Sequence, residues 1–380
     1  MAKQQKIKIE YSIKVADLGC LSGLNLSSSL KNKLEKFMKS PANRQFSGDC
    51  KLYINMNIKD ALCKNFKSLL DLRAIFKTNE DCRAFLEELI WEGEPVSPYD
   101  INSKVYKCRD GWYKCKNTGK EFNILTGTLF QGTKTDLTIW FEIIFRENSD
   151  KKGMASTTIA REYGITQKAA WYMLQKIRAA MGKENHQELE GTVEVDEYHE
   201  GGSHKNMHYN KKLEAKQKSN QGKKLLLGFV ERDGNAVIKT IPDRTDGTLA
   251  AGVLKYVKRG STLYSDDNPS YQKLPPIYKQ EVVIHSKGNY VSKENKDIYT
   301  NTIESVWAVF ERTKQTHIHV SQKHLQNYAN EATFRYNTRK MKSGEACIWL
   351  LQNIQDTHHT WKDIKDGKYR EYNRNQARTA

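Results

Sequence analysis

The sequence predicts an α+β protein built on a mixed sheet, and three observations lead there. Beyond Glu188 the apolar pattern runs strand, strand, strand, helix, strand, helix. The first and fourth of those strands end in aspartates, Asp196 and Asp266, and the last helix carries Asn301 and Glu304 in its first turn. The chain has 380 residues, 38% of them hydrophobic, with seven tryptophans, which is enough apolar material for two or three domains with a real core.

Residues 1–70 give the weakest signal. Ile7 to Ile13 reads as a strand, Ser27-Ser28-Ser29 as a break, and a basic helix-like run leads to Lys39; this extension is assigned no activity. Residues 71–132 open with a helix from Asn79, where Phe85, Leu86, Leu89 and Ile90 recur at helical spacing up to Trp91 before Gly93 and Pro95 stop it. Aromatic and β-branched residues then alternate with lysines from Val105 to Phe130, which predicts two or three short strands turning at Gly111 and Gly119. Residues 133–187 are helical. Leu137, Trp140, Phe141, Ile144 and Phe145 form one apolar stripe, and a short helix from Ser156 is followed by Gly164, by Thr166 as N-cap and by a longer helix from Gln167. That layout predicts a helix-turn-helix whose second helix presents Lys168, Trp171, Gln175, Lys176 and Arg178 on a basic outer face for DNA.

Residues 188–345 hold the sheet. Val193 to Tyr198 alternates, and Lys224 to Glu231 pairs with Ala236 to Ile241 across the Asp233-Gly234 turn. Thr248 to Val257 reads as a helix, Ser261 to Ser265 as a strand, and a helix starts at Asn301. Farther on, Lys323, His324, Arg335 and Arg339 are candidates to line a DNA channel. Residues 346–380 read as a basic tail, with six Lys or Arg after Trp361 against three acids.

A net charge of +17 and a pI near 9.3 create a field that attracts polyanions, which makes nucleic acid the natural partner. No apolar run is long enough for a membrane span, and the start lacks the apolar core of a signal peptide, so the expected location is cytoplasmic. Seven cysteines without a CxxC pair argue against a disulfide framework and against a self-evident zinc site.

The strand order resembles a ribonuclease H-like core. There Asp196 would sit on the central strand, Asp266 at the end of its neighbour and Glu304 on a helix laid across both, with Glu197, Asn268 and Asn301 beside them. Three acids in one oxygen-only pocket suit Mg²⁺ or Mn²⁺, hard cations that in pairs about 4 Å apart promote in-line phosphoryl displacement. Taken singly, each acid also reads as an ordinary strand, turn or helix-terminus charge.

At these residues the chain resembles the DDE-type insertion-sequence transposases of the ISXO-like group, relatives of the Merlin elements. The resemblance covers roughly 76–340. It is carried by Ala84-Phe85-Leu86-Glu87-Glu88-Leu89 with Trp91, Tyr113-Lys114-Cys115 through Thr126-Gly127-Thr128-Leu129-Phe130, Thr166-Gln167-Lys168-Ala169-Ala170-Trp171, Val193-Glu194-Val195-Asp196-Glu197 with Gly201-Gly202, Ser265-Asp266 with Tyr271, Thr300 to Glu304, His324-Leu325-Gln326 and Phe334-Arg335-Tyr336-Asn337. It implies DNA 3′-end cleavage and strand transfer, with Mg²⁺ or Mn²⁺ as cofactor, element ends and target DNA as partners, and a homo-oligomer in the synaptic complex. Asp196 and Asp266 match the first two catalytic aspartates. Glu304 is the favoured third ligand on charge, with Asn301 as the alternative.

Two departures stand out. Where relatives carry a CxxC…CxxC zinc ribbon, this chain has Ser97, Asp100, Cys115 and Thr118, so the expectation is a degenerate ribbon without zinc, held by Tyr106, Trp112, Tyr113 and Phe122. Glu311 stands where relatives have lysine, with Arg312 and Lys314 near enough to compensate; the alternative reading is a weakened or inactive DNA-binding derivative.

Overall fold

The computed structural model describes residues 7–13, 50–56, 67–184, 188–201, 224–266, 269–282, 301–317 and 320–369. By packing, the chain divides at residues 65 and 66 into two units. In the first, β1 (Ile7–Ile13) pairs antiparallel with β2 (Cys50–Met56), so the expected first strand is present. Ser27 to Ser29, the run to Lys39, Gly202, Asn268, Thr300 and the chain after Tyr369 lie outside the described residues.

The second unit begins with α1 (Leu69–Ile75) and α2 (Asn79–Trp91). Each carries a capping box, with Ser68 and Asp71 on α1 and Thr78 and Asp81 on α2 satisfying the first-turn donors reciprocally. A three-stranded ribbon follows: β3 (Val105–Arg109), β4 (Trp112–Cys115) and β5 (Glu121–Phe122), in that order and antiparallel. Tyr113 and Phe122 pack edge-on against Trp91, at 5.2 and 6.0 Å between ring centroids. Tyr106 does not join them; it stands more than half exposed, because β3 is the ribbon's edge and its outer face has no neighbour. At the four positions where relatives place zinc ligands, Ser97 and Thr118 hydrogen-bond the Cys115 sulfur, whereas Asp100 accepts from Asn117 Nδ2 at 2.7 Å. Burial pushes that thiol up, but hydroxyls of Ser103, Ser97 and Thr118 outweigh it and leave its pKa lowered to about 6. One sulfur among hydroxyls does not fit a tetrahedral zinc site.

Three helices come next: α3 (Leu137–Ser149), α4 (Ser156–Tyr163) and α5 (Gln167–Met181). Gly164, at φ +64°, supplies the left-handed turn between α4 and α5, and Thr166 caps α5 by accepting from Ala169 N–H at 3.2 Å.

The five-stranded sheet has the order β10-β9-β6-β7-β8, where β6 is Thr192–Glu200, β7 Lys224–Glu231, β8 Ala236–Ile241, β9 Thr262–Ser265 and β10 Lys279–Val282. The three long strands form an antiparallel meander, and β9 and β10 add in parallel beside β6. The sequence reading has no strand at β10; only four residues long, it follows a stretch broken by Pro269, Pro275 and Pro276. One sheet face packs on α6 (Asp246–Tyr256) through Val193, Val195, Leu227 and Phe229 against Leu249 and Val253. The other packs on α7 (Asn301–Lys314) and α8 (Leu325–Asn337) through Leu226, Val230 and Ile238 against Ile303, Trp307, Phe310 and Tyr328. The period-2 alternation of β6 and β7 thus feeds two separate cores.

α8 runs along the outer edge of β8. Gln326 Oε1 accepts from Thr240 N–H at 2.8 Å and its Nε2 donates to the Ile238 carbonyl at 3.0 Å. Eleven residues on, Asn337 treats Ala236 the same way, at 2.7 and 3.1 Å. Side-chain amides therefore complete the ladder that a further strand would otherwise supply. The chain then forms α9 (Ser343–Gln352) and α10 (Trp361–Asp366). Residues 361–369, expected as a frayed basic tail, are docked instead: Ile364 is fully buried, and Trp361 packs on Trp171 and Tyr172 of α5.

Candidate functional site

Asp196, Glu197 and Asp266 each offer a carboxylate oxygen, and these oxygens lie within 4.8 Å of one another. The topology explains the meeting. β6 and β9 run parallel and stay paired only to Glu194 and Tyr264, so both strands open at their carboxyl ends. Asp266 directly follows β9, and Asp196 and Glu197 lie just beyond Glu194, the last β6 residue paired with β9. Clefts at the carboxyl ends of parallel strands are where sheets of this kind receive ligands.

Strand alternation sends Asp196 toward α7 and Glu197 toward α6, and each is held on its own side. Trp307 Nε1 donates to Asp196 Oδ2 at 2.8 Å. The indole can lie there because the cross-strand partner of Asp196 is Gly228, where an added Cβ would come within 2.6 Å of the Trp307 ring. On the other side, Tyr271 Oη donates to Glu197 Oε1 at 2.9 Å, and Arg244 lies 3.5 Å from Glu197 Oε2. Burial pushes the Glu197 carboxyl above its usual range; the Tyr271 hydrogen bond opposes this, and the charges of Asp266 and Asp196 add to it. A fourth acid, Glu194, is fully buried and fixes the helix: it accepts from Thr302 Oγ1 at 2.7 Å and from Ile303 N–H at 2.9 Å, and Arg232 Nε donates to it at 3.2 Å. A carboxylate at a helix N-terminus satisfies free N–H groups and the positive end of the dipole.

Among the described residues, Glu304 and Asn301 are not members of the acidic grouping. Both stand exposed in the first turn of α7, with Glu304 three residues before Trp307 and therefore on a neighbouring part of the helix surface. The sequence marks Glu197 only as a flanking polar group and gives Trp307 and Gly228 no site role. The signal available was spacing, since Trp307 falls on the buried stripe Ile303, Val306, Trp307, Phe310.

The expected basic outer face of α5 is corrected. Gln175, Lys176 and Arg178 are at most 1% exposed: α8 covers Gln175 and Arg178, and Lys176 is buried against the turn at residues 129–131 and the Trp140 and Tyr172 rings. Gln175 bonds Tyr328 and Asn327, and Lys176 Nζ donates to the Leu129 carbonyl at 2.7 Å. Arg178 bonds Glu331 at 2.6 Å and Glu147 at 3.4 Å, and Arg335 bonds the same Glu331 at 2.8 Å, so Arg335 is also committed inside. Burial raises the Glu147 carboxyl, with Glu331 adding to it; in Glu331 burial is outweighed by Arg178 and Arg335, which hold it low. Lys168 is exposed above the Trp361 ring at 4.5 Å, Trp171 is half-buried, and Arg312 is exposed. Lys314 bridges Glu200 and Glu311, the latter at 3.1 Å.

Three carboxylates converging where a parallel strand pair parts form an oxygen donor set that could hold a hard divalent cation, and the group is only partly buried. Residues 188–337 match the ISXO2-like transposase domain, so this stretch of the chain is similar to that family. Over 254 residues, 63% of this chain and 83% of the other, it is 25% identical to an uncharacterized protein in transposable element ISH50 of Halobacterium salinarum. Among the described residues no helix is long and apolar enough to cross a membrane.

Proposed function

We propose that this chain is a DDE-type transposase that cleaves DNA 3′ ends and transfers them to target DNA, using a ribonuclease H-like core. The carrying observation is the convergence of Asp196, Glu197 and Asp266 inside the matched transposase domain. Asp196 and Asp266 would hold Mg²⁺ or Mn²⁺, with Glu304 as the third carboxylate and Asn301 as an alternative oxygen donor. When bound, such ions supply Lewis-acid charge to the phosphodiester and its attacking oxygen. The protein's own part is orientation: Trp307 holds the Asp196 carboxylate, Tyr271 and Arg244 hold Glu197, and Glu194 anchors the helix that carries Glu304. Lys168, Trp171, Arg312 and Lys314 remain candidate contacts to DNA. Two element ends call for two such centres, which makes a homo-oligomer the working assembly.

The rival reading, a DNA-binding derivative that has lost its chemistry, rests on Glu311. The ammonium of Lys314 beside it answers that charge and supports the active reading. The test is an in vitro nicking and strand-transfer assay with DNA carrying the element's terminal repeats and Mg²⁺. Wild type should cleave, and Asp196→Ala should keep DNA binding while losing more than about a hundredfold in rate, above the usual cost of losing an outer-sphere partner of a metal. Binding without nicking in both proteins would establish the rival.

A further inference from the structure

A cavity of about 620 Å³ opens at the β8 edge of the sheet, between α6, α8 and the segment 359–369. Lys224, Lys239, Lys255 and Lys323 line it, and among the described residues no Asp or Glu does. Lys239 and Lys255 come from different elements, yet both ammonium groups approach the Tyr256 ring, at 5.6 and 5.5 Å from its centroid. Lys224, Lys255 and Lys323 are exposed and Lys239 is half-buried, with Lys323 Nζ also donating to the Lys365 carbonyl at 2.6 Å, so the concave wall presents several positive charges to solvent and focuses their field. The amides beside them are already committed, since Gln326 and Asn330 bond each other and Gln326 also bonds β8. What the cavity offers a ligand is therefore positive charge more than base-edge recognition.

We infer that this cavity takes phosphates of a DNA strand, extending the DNA-binding surface beyond the acidic centre; the inference rests on the transposase reading. Lys224 lies four residues along β7 from Gly228, the partner of Asp196, which at ~3.4 Å per residue is about 14 Å from the centre. At roughly 3.4 Å of axis per strand charge, a strand leaving the centre reaches the cavity within about four phosphates.

The experiment uses the full chain and a labelled 30-nucleotide single strand, followed by anisotropy over a salt series. The double variant Lys239→Gln/Lys255→Gln should bind about tenfold more weakly near 0.1 M salt, with the slope of log affinity against log salt shallower by about 2, roughly one per lysine removed. Lys239→Arg/Lys255→Arg should keep both values. Lys224→Gln, at an exposed strand start, gives a second variant with minimal risk to folding and should lower the slope by about 1. A charge-matched pair on the ribbon, Lys104→Gln/Lys107→Gln, that weakens binding as much as the cavity pair would overturn the inference, as would an unchanged cavity pair. Calorimetry with inorganic phosphate separates the other source: lysine-dependent phosphate binding together with unchanged strand affinity would make this a free-anion site. Displacement of the strand by polyglutamate as effective as by unlabelled DNA would make it a docking site for an acidic protein. Nicking by a wild type whose cavity pair binds normally would sink the cavity alone, whereas a wild type that neither binds nor nicks DNA would sink both readings.

Discussion

Two groups of charged side chains divide this molecule between architecture and chemistry. Beneath the helices, Arg178 and Arg335 meet Glu147 and Glu331, two cations for two anions, all at most 10% exposed. On the sheet, Asp196, Glu197 and Asp266 converge with Arg244 at the rim as the cation seen close to Glu197, and with a tyrosine and an indole as neutral donors. The first group is complete in itself: each guanidinium is paired, and the network ties α3, α5 and α8 together. The second gathers three carboxylates at the open end of a parallel strand pair. Balanced buried charge marks structure, whereas unbalanced, half-open charge marks a place for something that arrives later.

The comparison can be broken by substitution. Arg178→Met would leave Glu147 and Glu331 buried with only Arg335, and should cost about 3–5 kcal/mol of unfolding free energy in urea titrations. A loss below about 1 kcal/mol would mean that the network is not the tie described. Next in size, Trp307→Phe removes the donor to Asp196 and part of a buried ring, and nicking should slow by about tenfold to a hundredfold with a melting temperature only a few degrees lower. An unchanged rate would remove the indole from any positioning role. The smallest effect is opposite in sign to the first: Asp266→Asn relieves like-charge crowding and should stabilise the metal-free protein by about 0.5–1 kcal/mol while Mg²⁺ ceases to raise its melting point. Destabilisation there would show that the acids on the sheet are as structural as those under the helices.

Legibility in the sequence followed the range of the interactions. Asp196 and Asp266 were readable because each closes a β-branched run, and the meander was readable from its alternation and from the Asp233-Gly234 turn. The turn between α4 and α5 was readable from Gly164 and Thr166. What failed was facing. Helical periodicity assigns a polar residue to solvent by default, but Arg178 finds Glu331, 153 positions away, and Gln175 finds Tyr328 at the same separation. A helix covered on more than one side hides charges that only the tertiary fold can neutralise. Glu197 failed in the same way: on a strand it points away from Asp196, and only the parting of β6 from β9 lets their oxygens share one neighbour.

The amides that α8 lays along β8 also constrain how two copies can meet. With Thr240, Ile238 and Ala236 already satisfied by Gln326 and Asn337, a second molecule cannot lengthen the sheet by strand addition at that rim. Within this five-stranded sheet, strand addition by another copy is left to the opposite rim, at β10.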